Sequence, residues 1–132
     1  MRDKRVIPTD LQAARGLAED LLEKVQEEGY ANSALFAIRL ALEEAVINAI
    51  RHGNKFDPAK SITVSVEADA DQTAITVTDE GSGFDPKSVP DPTTDENLEK
   101  PCGRGIMLMR AYMDEVEFNA RGNVVRMVKK MT

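Results

Sequence analysis

Apolar positions recur at helical spacing in two long stretches, and then alternate at every second residue. From Thr9 or Asp10 to about Glu28, Leu11, Ala14, Ala18, Leu21, Leu22 and Val25 share one face, which predicts an amphipathic helix. Thr9 or Asp10 is placed to cap it and Gly29 to stop it. Ahead of it, Arg5-Val6-Ile7 reads as a short edge strand ended by Pro8. A second helix is predicted from Asn32 or Ser33 to His52, with Leu35, Ile38, Leu42, Ala45, Val46 and Ala49 as its core stripe. Arg51 and His52 suit its last turn and Gly53 the position just beyond.

The period then falls to two. Ile62, Val64 and Val66 alternate with Ser61, Thr63 and Ser65, and Ile75 and Val77 alternate with Thr76 and Thr78. Both read as half-buried strands joined by a turn at Asp69–Gln72. Residues 85–103 carry four prolines and no clear period, so a long loop is expected there. A short helix follows from Ile106 to Tyr112, and Val116, Phe118, Val125 and Met127 outline a hairpin around Arg121-Gly122. This order predicts an α+β fold, a two-layer sandwich with helices on one face of a mixed, mostly antiparallel sheet. The Ser- and Thr-rich face of that sheet is left to solvent.

Composition narrows the partners. The 132 residues fit one domain, residues 1–132. A net charge of −6 argues against nucleic acid as a major partner, yet one triphosphate needs only local N–H groups, a metal and a few cations. Cys102 is the single cysteine, so no internal disulfide forms and a reducing compartment is expected. With no apolar leader and no stretch long enough to span a bilayer, the chain reads as cytoplasmic and without a membrane partner.

Three short motifs carry the candidate chemistry. Glu44 and Asn48 lie four apart on one helix face, opposite the Leu35/Ile38/Leu42 stripe. Taken alone, the pair also fits a solvated glutamate with a tolerated asparagine. Asp79 continues the inward parity of Ile75 and Val77, so a carboxylate points to the buried side beside Gly81 and Gly83. An adenine amino group is a suitable donor for it; an Asx-type turn is the alternative. Gly103-Arg104-Gly105 stands before Ile106-Met107, where glycines opening a helix expose N–H groups suited to phosphate. A plain loop-to-helix turn fits it equally. There is no P-loop motif, and the single histidine, His52, makes no zinc site.

The three motifs in order resemble the GHKL ATPase superfamily. Leu42 to Gly53 looks like its N box, Asp79-x-Gly81-x-Gly83 like its G1 box and Gly103-Arg104-Gly105 like its G2 box. Within it the sequence is most similar to the bacterial anti-sigma-factor serine kinases, through Asn54 to Pro58, Phe84-Asp85-Pro86, the Asp91 to Leu98 loop, and Met109-Arg110-x-x-Met113-Asp114.

The resemblance implies the GHKL/Bergerat ATP-binding fold, with ATP and Mg²⁺ as cofactors. It implies Asn48 as the Mg²⁺ ligand and Asp79 as reader of the adenine amino group. Gly81 and Gly83 would lie close to the base; Gly103, Arg104 and Gly105, with the N–H groups of Ile106 and Met107, would face the phosphates. Glu44 would be the general base and residues 85–103 the ATP lid. Val124 and Val125 stand where many superfamily members have a hydroxyl residue near the aspartate, so the second adenine contact is open. The implied activity is serine/threonine phosphotransfer to a small anti-sigma-antagonist protein, with a sigma factor as the alternate partner. An ATP-dependent partner switch without efficient transfer is the second reading. The relatives commonly pair, which extends the expectation to a homodimer.

Overall fold

The computed structural model of the chain describes residues 1–81 and 101–131, and of residues 101–104 the backbone only. The elements run β1 (Arg2–Pro8), α1 (Leu11–Gln26), α2 (Asn32–Asn48), a π-helical turn (Ala49–Gly53), β2 (Ser61–Ala68), β3 (Gln72–Asp79), α3 (Pro101–Tyr112), β4 (Glu115–Phe118) and β5 (Val124–Lys130). The five strands lie in the order β1-β2-β3-β5-β4. All four ladders are antiparallel, so the parallel pairing of a mixed sheet does not occur among the described residues.

The core lies between the sheet and the helices. Ile62, Val64, Ile75, Val77 and Met127 meet Leu21, Ile38, Leu42 and Val46, all at most 2% exposed. Each such side chain contributes roughly 1.5–3 kcal/mol by burial. The register carries the alternation across the sheet: Val64 stands opposite Val77, and Val77 opposite Val125. The predicted final hairpin forms with Val116 opposite Met127 and Phe118 opposite Val125.

Asp10 caps α1, its Oδ1 accepting from the N–H of Gln12 at 3.0 Å, and Gly29 leaves the helix with φ +98°. Edge strand β1 is longer than expected and turns charges inward, with Asp3 held 2.6 Å from Lys24 of α1 and Arg5 2.8 Å from Asp20. Inward charges of this kind discourage edge-to-edge pairing.

Two expectations are corrected. α3 begins at Pro101, five residues before the predicted start; proline suits the first position of a helix, where its missing N–H is not needed. Positions 101–103 are therefore helical, and the rest of the expected 85–103 lid lies outside the described residues. The second correction concerns α2. Its last turn widens to π geometry, the N–H of Asn54 reaching the carbonyl of Ala49 at 2.7 Å. Gly53 has no positive φ, so it is not a left-handed cap.

Candidate functional site

Glu44 and Asn48 do not face open solvent. Both are half-buried, because α3 packs across that face of α2. Gly105 of α3 meets them directly: a β-carbon there would lie 2.9 Å from Glu44 Oε2, 3.0 Å from Asn48 Nδ2 and 3.3 Å from Asn48 Oδ1. A side chain at this position would push those flexible ends aside, and the ends of both polar side chains converge at one point under α3. Burial raises the pKa of Glu44, the neighbouring Glu43 raises it further, and Arg51 on the same helix face opposes them. A carboxylate raised in this way is a stronger proton acceptor once ionised than an ordinary surface glutamate.

Asp79 ends β3 and is 8% exposed, as its inward parity predicts. Its Oδ1 accepts from the N–H of Gly81 at 2.8 Å, so the Asx-type turn is present. The Asx turn and the adenine-reading role are compatible, since that bond occupies one oxygen of the two. Burial raises the Asp79 pKa; the Gly81 bond, Arg121 and Lys60 lower it. Beside the carboxylate is a narrow pocket of about 20 Å³, lined among others by Ala45, Asn48, Val77, Met109, Phe118 and Val124. That volume holds about one water. A purine does not fit this pocket without movement of the walls around it.

Asn48 lines this pocket and also meets Gly105, so one residue joins the Glu44 end of the site to the Asp79 end. The structure brings together Glu44, Asn48 and Gly105 on one side, and Asp79 and Gly81 on the other. Gly83 lies outside the described residues, and of Gly103 and Arg104 only the helical backbone is described. Because α3 starts at Pro101, Ile106 and Met107 fall in its second turn, where a helix engages its own amides. The free donors are those of residues 102–104. Ile106 is buried in the core and Met107 is 42% exposed. His52 is exposed, and desolvation and Arg51 lower its pKa.

Sequence reasoning missed several contributors. Gly53 was read as a cap, yet its Cα lies against Asp79. Asn54 carried no role of its own in the sequence, yet it is 1% exposed. Asn119 organises the β4–β5 turn, its Oδ1 accepting from the N–H groups of Gly122, Asn123 and Val124. That turn brings Arg121 to the carbonyl of Gly81 at 3.2 Å and Asn123 to the backbone of Asp79. The only signal for these roles was the run Asn119 to Asn123 between two short strands.

A family model described as histidine kinase-like ATPase domain matches residues 7–129. The chain belongs to this family. Among its relatives is the anti-sigma F factor of Clostridium perfringens, 30% identical over 132 residues, covering 85% of this chain and 94% of that protein. Another is the serine-protein kinase RsbW of Oceanobacillus iheyensis, 26% identical over 108 residues, covering 77% of this chain and 68% of that one. In structure the chain is similar to the RsbU and RsbW domains of a Mycobacterium tuberculosis protein, with a TM-score of 0.67 at 20% identity. That match covers 98% of this chain and 32% of the other, so the chain spans about a third of that structure and shares its fold. Family membership carries ATP use. Among the described residues no helix is long and apolar enough to cross a membrane.

Proposed function

We propose that this chain is an ATP-dependent serine/threonine protein kinase of the anti-sigma-factor type. It would phosphorylate a small anti-sigma-antagonist protein in the cytoplasm and bind a sigma factor as its alternate partner. The observation that carries this reading is the convergence of Glu44 and Asn48 beneath Gly105, with the Asp79 pocket on the far side of Asn48.

The residues divide the work. Asp79 accepts a hydrogen bond from the 6-amino group of the base through the oxygen that Gly81 leaves free. Asn48 offers a side-chain oxygen to Mg²⁺, a cation that keeps several waters and takes few protein ligands. When bound, Mg²⁺ neutralises phosphate charge. The first-turn amides of α3 and the positive end of its dipole face the phosphates. Glu44 takes the proton of a partner serine or threonine hydroxyl. That oxygen bonds to the γ-phosphorus, the bond to the bridging β–γ oxygen breaks, and ADP leaves. Catalysis of this kind is mostly positioning and charge stabilisation, to which a general base adds on the order of 10²–10⁴ in rate.

The test is incubation with γ-labelled ATP, Mg²⁺ and the candidate antagonist protein. Label on a partner serine or threonine that disappears with Glu44→Gln supports a kinase. ATP binding without label, in the presence of a partner that binds, would reduce the chain to a nucleotide-dependent partner switch.

A further inference from the structure

We propose that Gly53 and Asn54 are positioning residues for the Asp79 carboxylate, and that they set the preference for a purine carrying a 6-amino group. The inference rests on Asp79 as the reader of the base. A β-carbon on Gly53 would lie 2.3 Å from Asp79 Cγ and 2.4 Å from its Oδ2, so the backbone of residue 53 lies flat against the carboxylate. A β-carbon on Gly81 would lie 2.0 Å from the carbonyl oxygen of Gly53. The two glycines and the carboxylate therefore touch one another, with no space for a methyl group on either glycine. Neither glycine has a positive φ, so the requirement is one of space and not of backbone conformation.

Asn54 keeps Gly53 in that place. Its side chain is buried and ties three segments together. Nδ2 donates to Ser61 O at 3.0 Å, where β2 begins, and to Thr9 Oγ1 at 3.2 Å, ahead of α1. Oδ1 accepts from the N–H of Glu80 at 2.8 Å, one residue past Asp79. Its backbone N–H closes the π-turn on Ala49. An amide supplies both donors and acceptor at once, which a carboxylate or an alkyl group cannot. The end of α2 is thereby pinned to the end of β3. Asp79 is gripped between Gly53 and the Gly81 N–H in a single orientation. The strain on the following residues fits an over-determined junction: Lys55 and Phe56 both adopt left-handed conformations, φ 51° and 59°.

The experiment compares the affinities for ATP and for purine riboside triphosphate, which lacks the 6-amino group. It is run on the full chain, on Gly53→Ala, on Asn54→Ala and on each combined with Asp79→Ala. The wild-type chain is expected to prefer ATP on the order of tenfold or more. Gly53→Ala and Asn54→Ala are expected to remove most of that preference, and to change nothing further once Asp79 is alanine. Equal weakening of both nucleotides, with the preference intact, overturns the proposal, because a merely structural lesion acts that way. No preference in the wild-type chain overturns the reading of Asp79 itself. The wedge is then judged by thermal unfolding of the same set: it is supported if Asp79→Ala relieves the loss caused by Gly53→Ala, and overturned if the losses add. Should Gly53→Ala alone not fold, the double variant with Asp79→Ala is expected to regain a cooperative transition, and failure to do so counts against the wedge.

Discussion

Gly105 of α3 lies so close to Glu44 of α2 that a methyl group on it would come within 2.9 Å of Oε2. Gly105→Ala is therefore expected to displace the ends of Glu44 and Asn48 and lower phosphotransfer on the order of tenfold, since small misplacements of reacting groups are costly. The same substitution favours α3 by about 1 kcal/mol. Activity and thermal stability should move in opposite directions, measured by partner phosphorylation and by melting temperature.

Glu44→Gln is expected to retain ATP binding and lose about a hundred-fold or more of the transfer rate. Its effect on stability follows from the raised pKa of Glu44. The folded chain holds the proton more tightly than the unfolded chain. Ionisation of Glu44 therefore subtracts stability as pH rises from the ordinary glutamate range through the raised value. Above that window the variant should melt at a higher temperature than the wild-type chain, and below it the difference should vanish. Unchanged turnover in Glu44→Gln would sink its assignment as base.

The pH profile offers a separate check. If Glu44 is the base, transfer requires it ionised, and the acidic limb of kcat/KM should inflect above the ordinary glutamate range. A limb at or below that range would show that the half-buried carboxylate does not control the step.

Asp79→Asn retains the shape of the side chain and an oxygen for the Gly81 N–H, but turns an NH₂ group toward the base. Nucleotide affinity should fall on the order of tenfold or more, while the melting temperature at neutral pH should hold or rise, since burial penalises the charge. Calorimetric titration with ATP measures the first and thermal unfolding the second.

Opening of the narrow pocket beside Asp79 can be followed without an added label. The chain has no tryptophan and two tyrosines, Tyr30 and Tyr112. Tyr30 is buried, its hydroxyl donating to Asp69 O at 3.0 Å. Tyr112, near the end of α3, stacks edge-on against Phe36 of α2, with centroids 5.9 Å apart. In Tyr30→Phe, ATP with Mg²⁺ should change the emission of Tyr112 if α3 shifts to admit the base. Saturable ATP binding with no change in emission would argue that the pocket widens elsewhere.

The helices and strands were legible because their periods are regular. The alternation of β2 and β3 located Asp79 on the buried side, and the four-residue spacing put Glu44 and Asn48 together. What covers that pair was not legible, since nothing in Glu44 or Asn48 indicates that α3 folds over them. The start of α3 is hidden because Pro101 and two glycines look like loop, whereas a proline suits the first helical position and Gly105 suits a close helix–helix approach. Gly53 was misread for a related reason. A glycine at a helix end usually signals a left-handed turn, whereas here the fold brings the Asp79 carboxylate into the space its side chain would need.

The π-turn at Ala49–Gly53 makes the length of the chain itself a functional quantity. Asn48 stands before the turn and Gly53 at its end, so the count of residues between them sets how far the Glu44–Asn48 pair lies from Asp79, and at what angle. Removing one residue there would restore a regular helix and turn Gly53 by about 100°, away from Asp79. Glu44 and Asn48 would keep their places. Among related sequences, this stretch is the one in which insertions and deletions should be absent, even where the residues themselves vary.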